Sequence, residues 1–301
     1  MHPNEIANVN GSIGPIDETR IAVNDHGFLY GDGVYETVRT YGRRPFCLPA
    51  HLDRLERSAE AIRLRLRWDR QRIGQEVDRT MEAAARAGGP VWDGEFAIRI
   101  MATRGDGPLG YDPDLCPEPT LAILVTRLRP MTREEREVGI SAIVAPVRRN
   151  PIEALDPRIK SLNLLNNILA AHRAKDAGAT EAILLNVSGY VAEGTLTNVF
   201  FASGGLVMTP SLDCGILSGI TREILIDCLR AGRVPWEEGR YTVGQLEGAD
   251  EVLLTSTTRE VIPVARLDGR PVGSGSRGPM TARLQQMFRQ RVEEMLRRPV
   301  V

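Results

Sequence analysis

Lysine is what this 301-residue chain has least of among its charged residues. Two of its 38 basic residues, Lys160 and Lys175, are lysine; the other 36 are arginine. A guanidinium stays protonated inside proteins and cannot act as a nucleophile, whereas an ammonium can shed its proton when desolvated. Lysine retained in such a background therefore draws attention to amine chemistry. Cysteine is also scarce. Cys47, Cys116, Cys214 and Cys228 show neither metal-ligand nor dithiol spacing, so no zinc module, redox motif or other metal site is expected, and free thiols suit a reducing cytosol. The formal charge is −1, with no polybasic run interleaved with aromatics, which sets nucleic acid aside as a partner. No apolar run approaches a membrane span. The Met1-His2-Pro3-Asn4-Glu5 start lacks a basic-then-apolar pattern, so the chain is expected to be cytoplasmic.

The two lysines differ in setting. Lys175 falls in His172-Arg173-Ala174-Lys175-Asp176-Ala177-Gly178, the last turn of an expected helix, where the helix dipole favours a cation. Lys160 precedes that helix, between a turn at Pro157 and the apolar Leu162, Leu164 and Leu165. Apolar surroundings lower an amine pKa, as a Schiff-base lysine needs; a surface lysine left by drift fits the composition equally well.

With 42% hydrophobic residues the chain can bury a large core, and its length predicts two domains. Three spans are expected: 1–126, a linker at 127–136 where charge rises around Pro130, and 137–301. In the first, Ile21–Val23, Val34–Tyr41, Pro45–Leu48, Phe96–Met101 and Thr120–Thr126 read as strands; Val34, Glu36, Val38 and Thr40 share one face. Leu52, Leu55, Ala59, Ile62 and Leu66 recur at helical spacing, and a second helix over about Arg72–Ala87 ends at Gly88-Gly89. Arg54 stands in the first turns of the earlier helix, where it is placed to meet an anion or simply to face water. The Arg104–Pro113 loop is rich in glycine and proline and long enough to line a site.

In the second domain, Ile140–Val147, Ala182–Asn186, Tyr190–Ala192, Asn198–Ala202 and Val252–Thr258 read as strands. Glu193, beside strand-rich apolar sequence, is either a buried acid with a cationic partner or an edge residue. The loop Gly215-Ile216-Leu217-Ser218-Gly219 runs into an amphipathic helix at Ile220-Thr221, a geometry that offers backbone N–H groups to an anion. Without a P-loop lysine, one phosphate fits better than a nucleoside triphosphate. An amine, a phosphate cradle and a carboxylate for a ring nitrogen together are the requirements of pyridoxal 5′-phosphate.

Six segments, in order, carry a resemblance to a known family. They are Gly31-Asp32-Gly33-Val34-Tyr35-Glu36, His51-Leu52-Asp53-Arg54-Leu55, Lys160-Ser161-Leu162-Asn163, Glu193-Gly194-Thr195 with Asn198, Leu217-Ser218-Gly219-Ile220-Thr221-Arg222, and Ser256-Thr257-Thr258. From about Ile21 to about Phe288 the chain resembles the class IV aminotransferases, pyridoxal-phosphate enzymes of fold type IV. That family includes branched-chain and D-amino-acid aminotransferases and aminodeoxychorismate lyases. The resemblance implies an α/β (α+β) fold with a smaller N-terminal α/β domain and a larger C-terminal pseudo-barrel, usually in homodimers or larger homo-oligomers. It implies that Lys160 forms the Schiff base and shuttles a proton, and that Glu193 meets the pyridinium nitrogen. Arg54, Ile220, Thr221 and Thr257 would hold the phosphate, Leu217 would pack on the ring, and Asn198, Gly219 and Ser256 would complete the cofactor site. Substrate contacts are implied for Tyr30, Tyr35, Arg39, Arg99 and Thr258.

Substrate signals diverge. The loop Gly105-Asp106-Gly107-Pro108-Leu109-Gly110 lacks the Arg-x-His pair of D-amino-acid enzymes, and Tyr30, Arg39 and Arg99 match bacterial branched-chain enzymes. Ala97 and Leu164 replace tyrosines usual in that branch, and Leu164 with the tail Ser256–Pro263 and Leu267-Asp268-Gly269 is closer to the D-amino-acid group. The expected substrates are an amino acid, aliphatic by preference, and a 2-oxoacid.

Overall fold

The computed structural model describes residues 5–87 and 94–297, and the helix end expected at Gly88-Gly89 lies outside them. The chain divides into two units, Met1–Arg129 with Ile159–Asn163, and Pro130–Arg158 with Leu164–Val301.

The first unit is a six-stranded antiparallel sheet with two long helices packed on one face. Its elements are β1 (Ile6–Val9), β2 (Ser12–Pro15), α1 (His26–Tyr30), β3 (Gly33–Tyr41), β4 (Arg44–Pro45), α2 (Leu48–Ala61), α3 (Arg70–Ala87), β5 (Phe96–Thr103) and β6 (Thr120–Arg127), in sheet order β2-β1-β6-β5-β3-β4. The period of two along β5 and β6 sends Phe96, Ile98, Ile100, Leu121, Ile123 and Val125 into the core. There they meet Leu52, Leu55 and Ala59 of α2 and Ile73, Val77 and Met81 of α3, each set at helical spacing. Val34 and Val38 join them, as the alternation of β3 predicts.

Two strand expectations are corrected. Ile21–Val23 is not a strand: Val23 is largely exposed and Ile21 about half so, and no strand among the described residues pairs with them. The edge hairpin is instead β1–β2, turning at Asn10 (φ 52°) and Gly11 (φ 89°). Asn-Gly is the pair that a two-residue hairpin turn with positive φ at both positions favours. Of Pro45–Leu48 only Pro45 lies in a strand, forming with Arg44 the two-residue β4, because α2 begins at Leu48 with Pro49 in its first turn, where a missing N–H costs nothing.

The second unit comprises α4 (Arg133–Glu137), β7 (Ile140–Arg148), α5 (Leu165–Asp176), β8 (Glu181–Leu185), β9 (Val191–Gly194), β10 (Asn198–Ser203), β11 (Leu206–Pro210), α6 (Ile220–Ala231), β12 (Trp236–Gly239), α7 (Val243–Glu247), β13 (Glu251–Ser256), β14 (Glu260–Leu267), β15 (Arg270–Pro271) and α8 (Pro279–Arg297). The strands follow the order β12-β11-β10-β13-β14-β7-β8-β9, and β9 pairs back to β10 through Glu193 and Asn198. That pairing closes six strands into a barrel-like ring. Its apolar interior gathers Ile183, Val191, Val199, Phe201, Leu254 and Ile262.

The change of unit falls between Arg129 and Pro130. Within the 127–136 stretch the structure builds the start of α4, whose capping box joins Thr132 and Glu135. Ile159–Asn163 groups with the first unit although it follows β7 in sequence, because β3 takes its backbone hydrogen bonds. Tyr35 N donates to Lys160 O and Leu162 N to Gly33 O, each at 2.9 Å.

Candidate active site

Lys160 enters the first unit as an added backbone partner of β3, with Val34 and Ser161 bridged. Its own N–H donates to Ser58 Oγ on α2 at 3.2 Å, and Asn163 Nδ2 donates to Gly31 O at 2.8 Å. These bonds fix the backbone on both sides of the lysine. Its Nζ stands 4.5 Å from the centre of the Tyr35 ring, and the Arg99 guanidinium lies 4.0 Å from the same centre. Tyr35, Thr37 and Arg39 of β3 pair with Met101, Arg99 and Ala97 of β5, so the expected substrate residues Tyr35, Arg39 and Arg99 share the sheet face opposite α2 and α3. Arg39 covers Tyr41 at 4.1 Å. Tyr30, from α1, accepts Gly110 N–H at 3.3 Å and meets Tyr111 edge-on, which ties the Arg104–Pro113 loop to α1. Arg104 fastens the start of that loop by donating to Asp32 and to the carbonyls of Ile62 and Arg63.

Arg54 is buried, and its partner is Glu36. Its Nε and Nη2 donate to the two Glu36 oxygens at 2.6 and 2.8 Å, and His51 Nδ1 lies 2.7 Å from Oε2. Burial pushes the Glu36 carboxyl upward, but Arg54 and then His51 outweigh it and hold the group at about 2. For His51, burial lowers the pKa and outweighs Glu36, so the imidazole is neutral near pH 7 and donates from Nδ1. Glu36 and His51 both stand in segments that carry the family resemblance, but neither was given a role from the sequence. The signal for Glu36 was present, since a carboxylate at 36 on the same face as Val34 and Val38 must be buried and needs a cation.

This triad gives the unit a defined acid response. Unfolding returns His51 to its ordinary value near 6.5, so the unfolded chain binds the extra proton and stability declines as pH falls below 6.5. Glu36 adds a second loss, present above its ordinary 4.5 and surrendered as pH falls toward about 2. In thermal melts from pH 7.5 to 5, His51→Gln is expected to flatten the Tm slope; a variant slope equal to that of the wild type would remove His51 from this role.

In the second unit, Glu193 of β9, Asn198 of β10 and Thr255 of β13 are register partners in adjacent strands, which puts their side chains on one face of the wall. Glu193 accepts from Arg149 Nε (2.8 Å), Leu217 N (3.0 Å) and Asn198 Nδ2 (3.3 Å). Asn198 Nδ2 also donates to Leu217 O at 2.9 Å. The Thr255 hydroxyl is buried without a hydrogen-bond partner among the described residues. Gly219 caps α6 with no side-chain hydrogen bond, leaving the first-turn N–H groups of the buried Ile220 and Thr221 directed along the helix start. A Cβ on Gly219 would run into Asn198 Oδ1, so glycine is required there. β13 ends at Ser256, and Thr257 and Thr258 form the turn into β14. Arg149 was not legible in the sequence, because arginine is abundant here, whereas Thr255 is the first of the four hydroxyls that end its strand and was read only as one of them.

Residues 33–267 match the family model for amino-transferase class IV, and the chain belongs to that family. Its relatives divide by activity. A Methanocaldococcus jannaschii protein with a provisional branched-chain-amino-acid aminotransferase name is 36% identical over 93% of this chain and 94% of its own. The D-alanine aminotransferase of Bacillus licheniformis is 35% identical over 92% and 93%. The aminodeoxychorismate lyase of Bacillus subtilis is 32% identical over 96% and 95%. Among solved structures, the branched-chain aminotransferase of the thermophilic archaeon Thermoproteus uzoniensis, with norvaline, superposes with a TM-score of 0.86 at 30% identity, covering 97% of this chain and 96% of that one. Another branched-chain amino acid aminotransferase of the same TM-score and identity was solved in complex with N-(5′-phosphopyridoxyl)-L-glutamate. The cofactor of the family, and of this enzyme, is pyridoxal 5′-phosphate. Among the described residues no helix is long and apolar enough to cross a membrane, and no cluster of His, Cys, Asp or Glu is suited to a metal.

Proposed function

We propose that the protein is a transaminase moving an amino group between an aliphatic, branched-chain L-amino acid and a 2-oxoacid such as 2-oxoglutarate. Bound, the cofactor supplies an aldehyde for the amino group and a ring that accepts the electron pair released at Cα. The protein's residues take the remaining tasks. Lys160 carries the cofactor covalently and moves the proton at Cα. Glu193 faces the ring nitrogen, and its ring of N–H donors suits a carboxylate kept as an anion. The bare start of α6 at Ile220-Thr221 suits a phosphate dianion; in this reading, carried over from the family, Arg54, Ser256 and Thr257 are further phosphate ligands. Leu217, clamped through its N–H and carbonyl, packs on the ring, beside Asn198 and Gly219. Thr258 and Tyr30 complete the substrate side, with a second copy of the chain in a homodimer or larger assembly. A cytoplasmic location accords with four free cysteines.

The observation that carries the substrate assignment is Arg99 stacked on Tyr35 with Arg39 on the same sheet face. A fixed guanidinium suits the distal carboxylate of a five-carbon dicarboxylate acceptor such as 2-oxoglutarate. The alternatives on this scaffold are a D-amino-acid transaminase, favoured by Leu164, and aminodeoxychorismate lyase. A half-reaction screen following cofactor absorbance separates them. L-Leucine and L-valine are expected to convert the cofactor faster than D-alanine or D-glutamate; faster conversion by the D-amino acids would overturn the assignment. Pyruvate release from aminodeoxychorismate without any 2-oxoacid acceptor would establish the lyase instead.

A further inference from the structure

Arg149, just beyond β7, is 8% exposed and Glu193 5%, and their contact is a charge-assisted hydrogen bond of 2.8 Å from Nε to Oε1. The same guanidinium is anchored at its other end. Nη1 donates to Asn166 Oδ1 at 3.2 Å and Asn167 Oδ1 at 3.3 Å, both in the first turn of α5. These amides are themselves held: Asn166 Nδ2 donates to Arg148 O (2.8 Å), and Asn167 Nδ2 to Thr195 O (2.6 Å) in the turn after Glu193. One planar cation thus ties β7, α5 and the β9 turn together. An ion pair serving stability alone requires only the two charges, and such buried pairs stabilise little against apolar replacements. Here the second carboxylate oxygen is also oriented, by Leu217 N and Asn198 Nδ2. Donors on both oxygens fix the carboxylate's plane as well as its position, which serves a partner that must be met at a set angle.

We propose that Arg149 is a positioning residue for the cofactor, orienting the Glu193 carboxylate toward the ring nitrogen through a guanidinium pinned at Asn166 and Asn167. The proposal rests on the reading that Glu193 meets that nitrogen. The Arg149 guanidinium offers a planar, rigid fork of donors, which is what holding a carboxylate at a set angle requires. Without it the carboxylate keeps two N–H donors and regains rotation about its terminal bonds. The cofactor then meets a carboxylate that has to be ordered on binding, and the orienting contribution is lost in affinity and in rate together.

The test is a double-mutant cycle on Arg149→Met and Glu193→Gln. It is read as the dissociation constant of pyridoxal 5′-phosphate, titrated by absorbance into dialysed protein, and as the split between kcat and the amino-donor KM. Arg149→Met is expected to weaken cofactor binding by about tenfold or more and to lower kcat, with donor KM within about twofold, the scale typical of lost orienting partners. Arg149→Lys keeps the charge without the fork and should recover only part of both. In the Glu193→Gln background, Arg149→Met should add less than about twofold, since it acts through the missing carboxylate. Wild-type affinity and kcat for Arg149→Met, or an equal effect in the Glu193→Gln background, would overturn the proposal. If Glu193→Gln alone behaves as wild type, the reading of Glu193 is what fails. Should Arg149→Met not fold, Asn166→Ala with Asn167→Ala releases the far end of the fork and is expected to weaken cofactor binding about threefold; wild-type binding there would equally overturn it.

Discussion

Lys160→Ala is expected to lower transamination by at least about a thousandfold, the scale seen when a covalent nucleophile is removed. The variant should lose the borohydride-stable label on the peptide spanning Lys160 while its melting temperature changes little. The side chain is only partly buried, and the backbone bonds that fix it, to Tyr35, Ser58 and Val34–Ser161, do not involve the amine. Lys175, exposed in the last turn of α5, supplies no substitute. Label recovered on the Lys175 peptide of the wild-type enzyme, or wild-type turnover by the variant, would refute the assignment.

Glu193→Gln should slow the half-reaction by about a hundredfold or more. An amide cannot balance the charge of a ring nitrogen that carries a proton, and electrostatic contributions of this kind commonly reach about 10²–10³. The loss should fall on the rate constant for cofactor conversion and leave donor binding near its wild-type value. A rate within about threefold of wild type would exclude Glu193 from contact with the ring.

Much of this was legible in the chain. The helices α2 and α3, strand β3 and strands β5 and β6 follow from periodicity, because each has one buried face and a clear apolar stripe. What periodicity could not reach was pairing. Nothing local shows that Ile159–Asn163 lends its backbone to β3, more than a hundred residues away, or that Glu193 and Asn198 meet across the closing seam of a ring. The candidate site divides the same way. Lys160 stood out by residue type, and the Gly219–Thr221 helix start by its turn chemistry. Arg149 and His51 did not, since arginines are everywhere in this sequence and a histidine's role depends on the carboxylate opposite it. The hairpin at Asn10-Gly11 is a different matter: its turn pair was plain in the sequence and went unread, while Ile21–Val23, read as a strand, is left in solvent.

The seam also limits how this enzyme's length can vary. Glu193 and Asn198 are opposed across a turn closed by the bond from Gly194 N to Thr197 O, 2.7 Å long. Side chains along a strand alternate faces, so one residue gained or lost between Thr195 and Thr197 would turn either the acid or its amide partner to the far side of the wall. Insertions elsewhere in surface loops leave such a ring intact, but the spacing of these few positions is a fixed gauge.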